Sequence, residues 1–347
     1  MIVYVKIGCM PPTRALLLLA LALPCLIFAS AACSPAASPS SAAATRLSLV
    51  AYSTPREAYA ALIKAFQATP AGAGVTFDES YNGSTEQSRA VADGLPADLV
   101  ALSLEPDITT LVNAGVVDST WNQDPLHGMV SASVVVLVVR KGNPRHIEDW
   151  ADLLQPGIEV VTPNPLTSGG ARWNLLAAYG AQIQQAKTEQ QASEFLRALL
   201  PNVPVMAKSA REGLQAFIGG KGDALLSYEN EAITAQQKGE QIDYVVPQAT
   251  VLIENPVALT AQGRKQPQAQ AFLEFLRSAD GQRIFAKAGY RPVLPLVAAE
   301  AGYPQPAHLF TATDMGGWPA IDKQLFDRRS GLLVELFRSR GIDTGGN

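Results

Sequence analysis

Residues 157–179 constrain the fold more than any other part of the chain. They read as a short apolar strand, a proline-broken loop and a helix opened by Ser168, Gly169 and Gly170. The two glycines let other groups approach the backbone closely, and a helix start leaves N–H groups unpaired and carries about +0.5 of a charge. Ser168 adds a hydroxyl donor. The pattern favours an anion site, although an ordinary N-cap serine followed by glycines is the alternative.

Short apolar runs alternate with amphipathic segments along the rest of the chain, which is typical of an α/β fold. Strands are predicted over residues 47–52, 75–80, 98–104, 133–139, 158–161, 203–206, 224–227, 242–246 and 257–259. Helices are predicted over residues 55–68, 85–93, 171–179, 210–218, 267–277, 281–288 and about 320–340, with glycines such as Gly180 as helix terminators.

The length favours two lobes, because one open sheet of about 300 residues would be unusual. The chain is expected to cross between the lobes near residues 124–128 and 254–256. This predicts a first lobe made of residues 46–125 and 256–347, the latter including a C-terminal helix, and a second lobe made of residues 126–255.

Four segments share one design, in which a strand and a short turn lead to a hydroxyl residue and a helix start. The hydroxyl residues are Thr54, Ser84, Ser168 and Ser209. Each helix also carries an arginine in its first or second turn, at positions 56, 89, 172 and 211. A cation there costs roughly 0.3–1 kcal/mol. Either nearby carboxylates or a bound anion would compensate it, and both interpretations stay open.

The N-terminus resembles a lipoprotein leader. Residues 15–32 are apolar after Lys6 and Arg14, and small residues precede Cys33, which would be lipidated. This predicts a signal peptide over residues 1–32, with Met10 as a possible start, and a Ser/Pro/Ala-rich flexible tether over residues 33–45. A plain cleaved signal peptide is the alternative. We expect a protein on the extracytoplasmic face of the cell membrane, held by the lipid on Cys33.

The composition excludes several classes of function. All three cysteines lie in the leader, so the exported part has no thiol for a disulfide, a metal site or a nucleophile. The formal net charge is −4, and losing the two positive charges of the leader takes it to −6, which argues against nucleic acid or anionic lipid as a partner. The scattered histidines His127, His146 and His308 argue against a metal.

The segment TPNP at residues 162–165, followed by SGGARWN at 168–174, resembles the signature of bacterial periplasmic sulfate-binding proteins. The resemblance extends across nearly all of the chain after the leader and includes residues 54–59, 82–91, 138–143, 146–157, 222–232, 281–292 and 316–318. It implies a two-lobe type II periplasmic-binding fold with the ligand in a cleft between the lobes. It also implies a monomeric receptor without a cofactor, not an enzyme, that delivers sulfate to the permease of an ABC importer.

The resemblance also implies which groups hold the anion. The donors carried over to this sequence are Ser53 and Ser84, the Ser168, Gly169 and Gly170 run, the backbone N–H of Ala210, and the ring of Tyr228. Two positions depart from the family pattern: Ser53 replaces an Asp that serves through its backbone N–H, and Tyr228 replaces a Trp. Because a phenol reaches further than an indole and can also accept, Tyr228 leaves the identity of the oxyanion open.

Two alternatives remain on the sequence alone. A molybdate, tungstate or thiosulfate receptor would share the fold. A surface-anchored hydrolase of sulfate or phosphate esters would use Ser84 or Ser168 as the nucleophile, but the sequence offers no activating base or metal beside either. A site with donors only favours sulfate, which has no proton to give, over hydrogen phosphate.

Overall fold

The computed structural model describes residues 45–341. The predictions for the signal peptide, for Cys33 and for nearly all of the tether fall on residues 1–44, outside the described residues. Among residues 45–341, no helix is both long enough and apolar enough to cross a membrane.

Residues 45–341 form ten β-strands and twelve α-helices. The strands are β1 Arg46–Tyr52, β2 Thr76–Asn82, β3 Leu99–Ala101, β4 Met129–Arg140, β5 Val160–Pro163, β6 Val205–Ala207, β7 Ala224–Tyr228, β8 Ile242–Val245, β9 Ala249–Leu259 and β10 His308–Phe310. The helices are α1 Arg56–Gln67, α2 Ser84–Ala92, α3 Glu105–Asn113, α4 Gly169–Gln184, α5 Glu189–Leu199, α6 Ala210–Ile218, α7 Glu229–Gln237, α8 Pro267–Arg277, α9 Ala279–Lys287, α10 Pro295–Ala301, α11 Gly317–Ile321 and α12 Leu332–Ser339. Short 3₁₀ turns cover Trp150–Leu154, Leu200–Asn202, Gly263–Lys265 and Thr313–Met315, and Asp322–Phe326 is π-helical.

The sheet contains two groups of parallel strands. In the first group, β1 pairs in parallel with β2 and β3. In the second group, β5 pairs in parallel with β6 and β7. The antiparallel pair β4 and β9 joins the groups, giving the order β2-β1-β3-β9-β4-β7-β5-β6, with β10 beside β9 and β8 beside β4. This is the α/β organisation in two lobes that the sequence predicts.

The joining strands carry the chain between the two groups. Residues 254–256, predicted as a crossing, lie inside β9, where Pro256 pairs with Met129 next to a register shift in β4. Proline is tolerated at such an irregularity because it has no N–H to give to the ladder. The predicted lobe boundaries, after residues 125 and 255, stay predictions.

Two large hydrophobic clusters support the strand groups. One packs α1 against α8 and α9 through Tyr59, Phe66, Phe272 and Phe285. The other surrounds α4 and includes, from the C-terminal segment, Phe310, Ala312, Trp318, Ile321, Leu325, Leu332, Leu333, Leu336 and Phe337. Helix α4 is therefore buried along almost its whole length, which fixes the position of its N-terminus.

Two predicted helix ends are wrong. Helix α4 continues through Gly180, which is glycine because the ring of Phe310 lies where a Cβ would be. The predicted C-terminal helix over residues 320–340 is broken between the π-helical segment and α12. There the Asp327 carboxylate accepts hydrogen bonds from the N–H and hydroxyl of Ser330, and Gly331 lies too close to the Asp327 backbone for any side chain.

Candidate anion-binding site

The predicted site residues follow the carboxyl ends of strands in both groups. In the first group, Ser53 follows β1 and Ser84 comes two residues after β2. In the second group, Ser168 follows the turn after β5, Ala210 follows β6, and Tyr228 ends β7. Ligands of open α/β sheets bind beyond these strand ends. The joined sheet turns the two sets of ends toward each other, and contacts between them define one site.

The start of α4 is the centre of this site. Ser168 is the N-cap, is almost fully buried, and makes no side-chain capping bond. Its backbone N–H donates to the Asn164 carbonyl over 2.9 Å, which fixes the turn after β5. The N–H groups of Gly169 and Gly170 lie in the first helical turn, where the helix supplies no acceptor. This start therefore offers several donors to a ligand.

Neighbouring side chains limit what could replace the two glycines at the start of α4. At Gly169 a Cβ would overlap the Leu104 side chain and come within 2.8 Å of the Ser103 hydroxyl oxygen, so any larger residue would force these side chains to shift. At Gly170 a Cβ would lie 3.4 Å from the Tyr228 ring and 3.5 Å from the Ala210 Cβ. The starts of α4 and α6 and the end of β7 thus meet around Gly170.

Tyr228 lies fully buried at the meeting point of the two strand groups. Its hydroxyl is 2.7 Å from the hydroxyl of Ser103, which follows β3. Burial raises the pKa of Tyr228 far above its usual value, so the phenol keeps its proton. The Tyr52 ring, next to Ser53, lies 6.4 Å from the Tyr228 ring. The structure thus places the protonated phenol of Tyr228 where the two strand groups meet, hydrogen-bonded to Ser103.

The Ser84 side chain is already engaged. Its hydroxyl donates to Asp107 Oδ2 over 2.6 Å and its oxygen accepts the Ser103 N–H over 2.8 Å. The donor that Ser84 can offer to an anion is therefore its backbone N–H in the first turn of α2. The preceding Gly83 approaches the Thr167 carbonyl too closely for a side chain, so α2 faces the loop that leads to α4.

The structure adds Ser103 and Asp107, which the sequence interpretation missed. The Ser103 carbonyl accepts hydrogen bonds from Trp173 Nε1 at 2.8 Å and from Asn255 Nδ2 at 3.1 Å. It therefore ties α4 and β9 to the first strand group. A hydroxyl just after a strand end is the signal that marks the other site residues, and it could have identified Ser103. Nothing in the sequence indicates that Asp107 lies behind Ser84.

Asp107 and Arg172 bring opposite charges into the interior beside the site. Burial raises the pKa of Asp107, while the charge of Arg172 and hydrogen bonds from Ser84 and Thr85 oppose the rise. Burial lowers the pKa of Arg172 to about 10, and the charge of Asp107 opposes that shift. Arg172 also pairs with Asp322. The two opposite charges partly offset each other beside the candidate site.

The arginines at the helix starts have protein partners. Arg211 pairs with Glu57 at 2.6 Å and with Glu231 at 3.2 Å, and Arg89 donates to the Leu166 carbonyl. Arg56 lies over the Tyr81 ring, and Arg172 over the rings of Trp318 and Phe326. The compensation that the sequence left open is therefore supplied within the protein, by carboxylates, a carbonyl and aromatic faces.

The Arg211 cluster also links the two strand groups. Glu57 on α1 receives hydrogen bonds from Arg211 on α6 and from Lys238 after α7. Partial burial alone would raise the pKa of Glu57, but these bonds lower it to about 2. Arg211 donates to the Thr54 carbonyl as well, over 3.0 Å. This places the Ser53 loop next to the start of α6 and its first residue, Ala210.

Comparison with known proteins identifies the family. The sequence model described as "Bacterial extracellular solute-binding protein" matches residues 47–291. A sulfate-binding protein of Synechococcus elongatus is 44% identical over 81% of this chain and 83% of its own length, and one from Escherichia coli is 38% identical over 80% and 88%.

Among solved structures, the sulfate-binding protein SubI from Mycobacterium tuberculosis H37Rv is 47% identical, covers 82% of this chain and 100% of its own, and superposes with a TM-score of 0.80. A periplasmic thiamin binding protein, 19% identical with a TM-score of 0.62, shares the fold alone. These matches confirm the two-lobe type II periplasmic-binding fold. The chain belongs to the sulfate-binding proteins within the bacterial extracellular solute-binding family.

Proposed function

We propose that the protein is an extracytoplasmic receptor that binds sulfate between its two strand groups and passes it to the permease of an ABC importer. The observation that carries this proposal is the start of α4. There Ser168, an N-cap residue whose hydroxyl makes no capping bond, and two glycines meet Tyr228 and Ala210. Relatives named as sulfate-binding proteins, 38–44% identical over most of the chain, support the same ligand.

The donors proposed to hold sulfate come from both strand groups. They are Ser53, Ser84, Ser168, Gly169, Gly170, Ala210 and Tyr228, with Ser84 acting through its backbone N–H. Hydroxyls and backbone N–H groups suit a fully deprotonated dianion, because each sulfate oxygen only accepts. Both oxygens of the nearby Asp107 carboxylate already accept hydrogen bonds from Ser84 and Thr85 of α2, so this carboxylate is directed at α2 rather than at the anion.

Titration calorimetry with sulfate, thiosulfate, molybdate, tungstate and phosphate tests the proposal. Sulfate should bind most tightly, and phosphate should bind at least about a hundredfold more weakly, a difference of about 2.7 kcal/mol. Tyr228 in place of the family's Trp makes molybdate and tungstate the important competitors. Tighter binding of either would reassign the ligand within the same fold, and absence of binding by every oxyanion would contradict the receptor function.

The proposal includes attachment to the membrane through a lipid on Cys33, which rests on the leader sequence alone. In a bacterial host, the Cys33→Ser variant should move from the membrane fraction to the soluble extracytoplasmic fraction. The matched control is Cys25→Ser, which changes a cysteine within the predicted signal peptide and should leave the attachment intact. Membrane retention of the Cys33→Ser protein would show that another feature anchors it.

One observation keeps the hydrolase alternative worth testing, namely the hydrogen bond from the Ser84 hydroxyl to a buried carboxylate. Against it, the same hydroxyl oxygen accepts the Ser103 N–H, which engages one of its two lone pairs and makes it a weaker nucleophile. Incubation with aryl sulfate and aryl phosphate esters should therefore release no phenol above the rate of a Ser84→Ala control. Release that depends on Ser84 would favour the enzyme.

A further inference from the structure

A cavity of ≈ 410 Å³ borders β4 and β9, the strands that join the two groups. Leu252 and Glu254 of β9 line it. The next residue, Asn255, instead donates to the Ser103 carbonyl beside Tyr228. Because successive side chains of a strand point to opposite faces, the cavity and the anion site lie on opposite faces of β9. The cavity is therefore distinct from the anion site.

The walls of this cavity are largely apolar. They include Leu126, Met129, Leu252, Val293 and Leu309, the last of which is 37% exposed. Small-molecule sites are concave, mostly apolar and about 300–1,000 Å³ in volume, with a few polar groups that fix orientation. The cavity has this size and character, so the charged groups in its wall decide which ligand fits.

The positive charge in the wall is fully engaged. Arg291 donates to both carboxylate oxygens of Glu229, over 2.7 and 3.1 Å, and to the Pro304 carbonyl over 2.8 Å. The Arg291 backbone pairs with Ala132 of β4. This arginine holds the loop after α9 against the sheet and presents no free positive charge to a ligand.

Within the described part of the chain, the Glu254 carboxylate, unlike the Arg291 guanidinium, has no such partners. Among residues 45–341, none donates a hydrogen bond to its carboxylate or forms an ion pair with it. Partial burial raises the pKa of Glu254, the charge of Glu105 raises it further, and His127 opposes the shift. Glu254 and Glu105 also border a small adjoining cavity of ≈ 60 Å³. The larger cavity thus has, in a largely apolar wall, one carboxylate without a hydrogen-bonded partner among the described residues, with His127 as the group of opposite charge that lowers its pKa.

We propose that this cavity binds a small amphipathic monocation, with its ammonium group on Glu254 and its apolar body against Leu252, Met129 and Val293. The ammonium supplies the donors that the Glu254 carboxylate lacks. The apolar body removes the surface of the three side chains from water. A neutral molecule of the same shape gains only the second of these interactions, and an anion of the same shape is repelled.

Three matched probes test this in the wild-type protein. Hexylamine, hexanol and hexanoate share one apolar chain and differ in the charge of the head group. Calorimetry is performed on the full protein saturated with sulfate, so that hexanoate cannot compete for the anion site. We expect hexylamine to bind at least about tenfold more tightly than hexanol, and hexanoate to show no binding. Equal affinities of the amine and the alcohol would overturn the proposal.

Three variants locate the effect: two change the cavity and one is a control. Glu254→Gln should reduce the affinity for hexylamine to that for hexanol, whereas Glu274→Gln, a change at an exposed position on α8, should leave the preference intact. Ala298→Trp places an indole in the cavity and should remove binding of both probes. A preference for the amine that persists in Glu254→Gln, or binding that persists in Ala298→Trp, would show that the amine binds elsewhere.

Discussion

The starts of α2 and α4 have nearly the same sequence pattern but use their serines differently. Both follow a strand of a parallel group, and both have a serine and a glycine at the first turn. Ser168 makes no capping bond, so its hydroxyl is available to a ligand. The Ser84 hydroxyl donates to Asp107 and accepts from the Ser103 backbone. The Ser168 hydroxyl is therefore proposed as a ligand group, whereas the Ser84 hydroxyl stabilises the contact between α2, α3 and Ser103.

The difference arises from neighbours rather than from local sequence. Helix α3 places Asp107 beside the start of α2, where its carboxylate also accepts a hydrogen bond from Thr85 over 3.1 Å. The start of α4 faces Tyr228 and Ala210 instead, which offer no carboxylate. A negative group next to a helix start satisfies the local N–H and hydroxyl donors, and in doing so it removes side-chain donors from an anion.

The largest expected effect comes from giving α4 the carboxylate that α2 already has nearby. Gly170→Asp places that group against the bound anion, and two like charges buried together cost several kcal/mol. We expect sulfate affinity to fall by at least about a thousandfold, since each 1.4 kcal/mol is a factor of ten. Titration calorimetry measures the loss.

Gly170→Ala is the matched control, because a Cβ at Gly170 meets its neighbours at ordinary contact distances of 3.4–3.5 Å. It should cost no more than about 1 kcal/mol of binding free energy. Normal sulfate binding by Gly170→Asp would contradict the whole cleft site. Equal losses in the two variants would mean that space rather than charge limits this position.

The next prediction concerns the free hydroxyl of α4. Ser168→Ala should weaken sulfate binding by about 1–3 kcal/mol, the value of a hydrogen bond to a charged group. The melting temperature without sulfate should barely change, because Ser168 makes no capping bond. Ser209→Ala is the control: Ser209 caps α6 by accepting the Glu212 N–H, so that variant should lose stability. If Ser168→Ala binds sulfate like the wild type, Ser168 does not belong to the site.

Ser84→Ala should show the opposite behaviour. The change removes one donor from the Asp107 carboxylate and leaves the Ser103 N–H without its acceptor. We expect the free energy of unfolding to fall by about 1–2 kcal/mol, with a smaller loss of sulfate affinity than for Ser168→Ala. Thermal unfolding without ligand and calorimetry with sulfate measure the two quantities. A loss confined to affinity would mean that the Ser84 hydroxyl serves the anion after all.

The α/β order and most strand positions could be predicted, because apolar runs and turn residues are local signals. The motif at residues 168–174 predicted the start of α4 as the centre of the site, and the structure brings Tyr228 and Ala210 to it. The ends of α4 and of the C-terminal helix were predicted wrongly. Gly180 is interpreted from the sequence as a helix terminator. It lies inside α4 instead, and a Cβ there would overlap the ring of Phe310, which is 130 residues away in sequence.

The engaged state of Ser84 could not be predicted for the same reason. Asp107 is 23 residues further along the chain, and only the packing of α2 against α3 reveals the hydrogen bond between them. The pairing of Arg211 with Glu57 spans 154 residues and likewise depends on the arrangement of the two strand groups. Local sequence identifies helix starts, whereas long-range contacts decide which of their donors remain free.

Tyr228 lies against the start of α4, reaches the start of α2 only through Ser103, and should give the smallest effect. Its ring lies 3.4 Å from the position of a Cβ on Gly170, and its hydroxyl is 2.7 Å from that of Ser103, whose N–H is bound by Ser84. If Ser103 donates to the phenol, the phenol proton is free for the anion. Tyr228→Phe should then weaken sulfate binding by about 1 kcal/mol, and Tyr228→Trp should retain more affinity than Phe because the indole N–H restores a donor.

The ratio of sulfate to molybdate affinity should also differ between Tyr and Trp, since the two donors reach different distances. Calorimetry on the three proteins with both anions measures these differences, and identical affinities throughout would show that Tyr228 is only a packed aromatic ring.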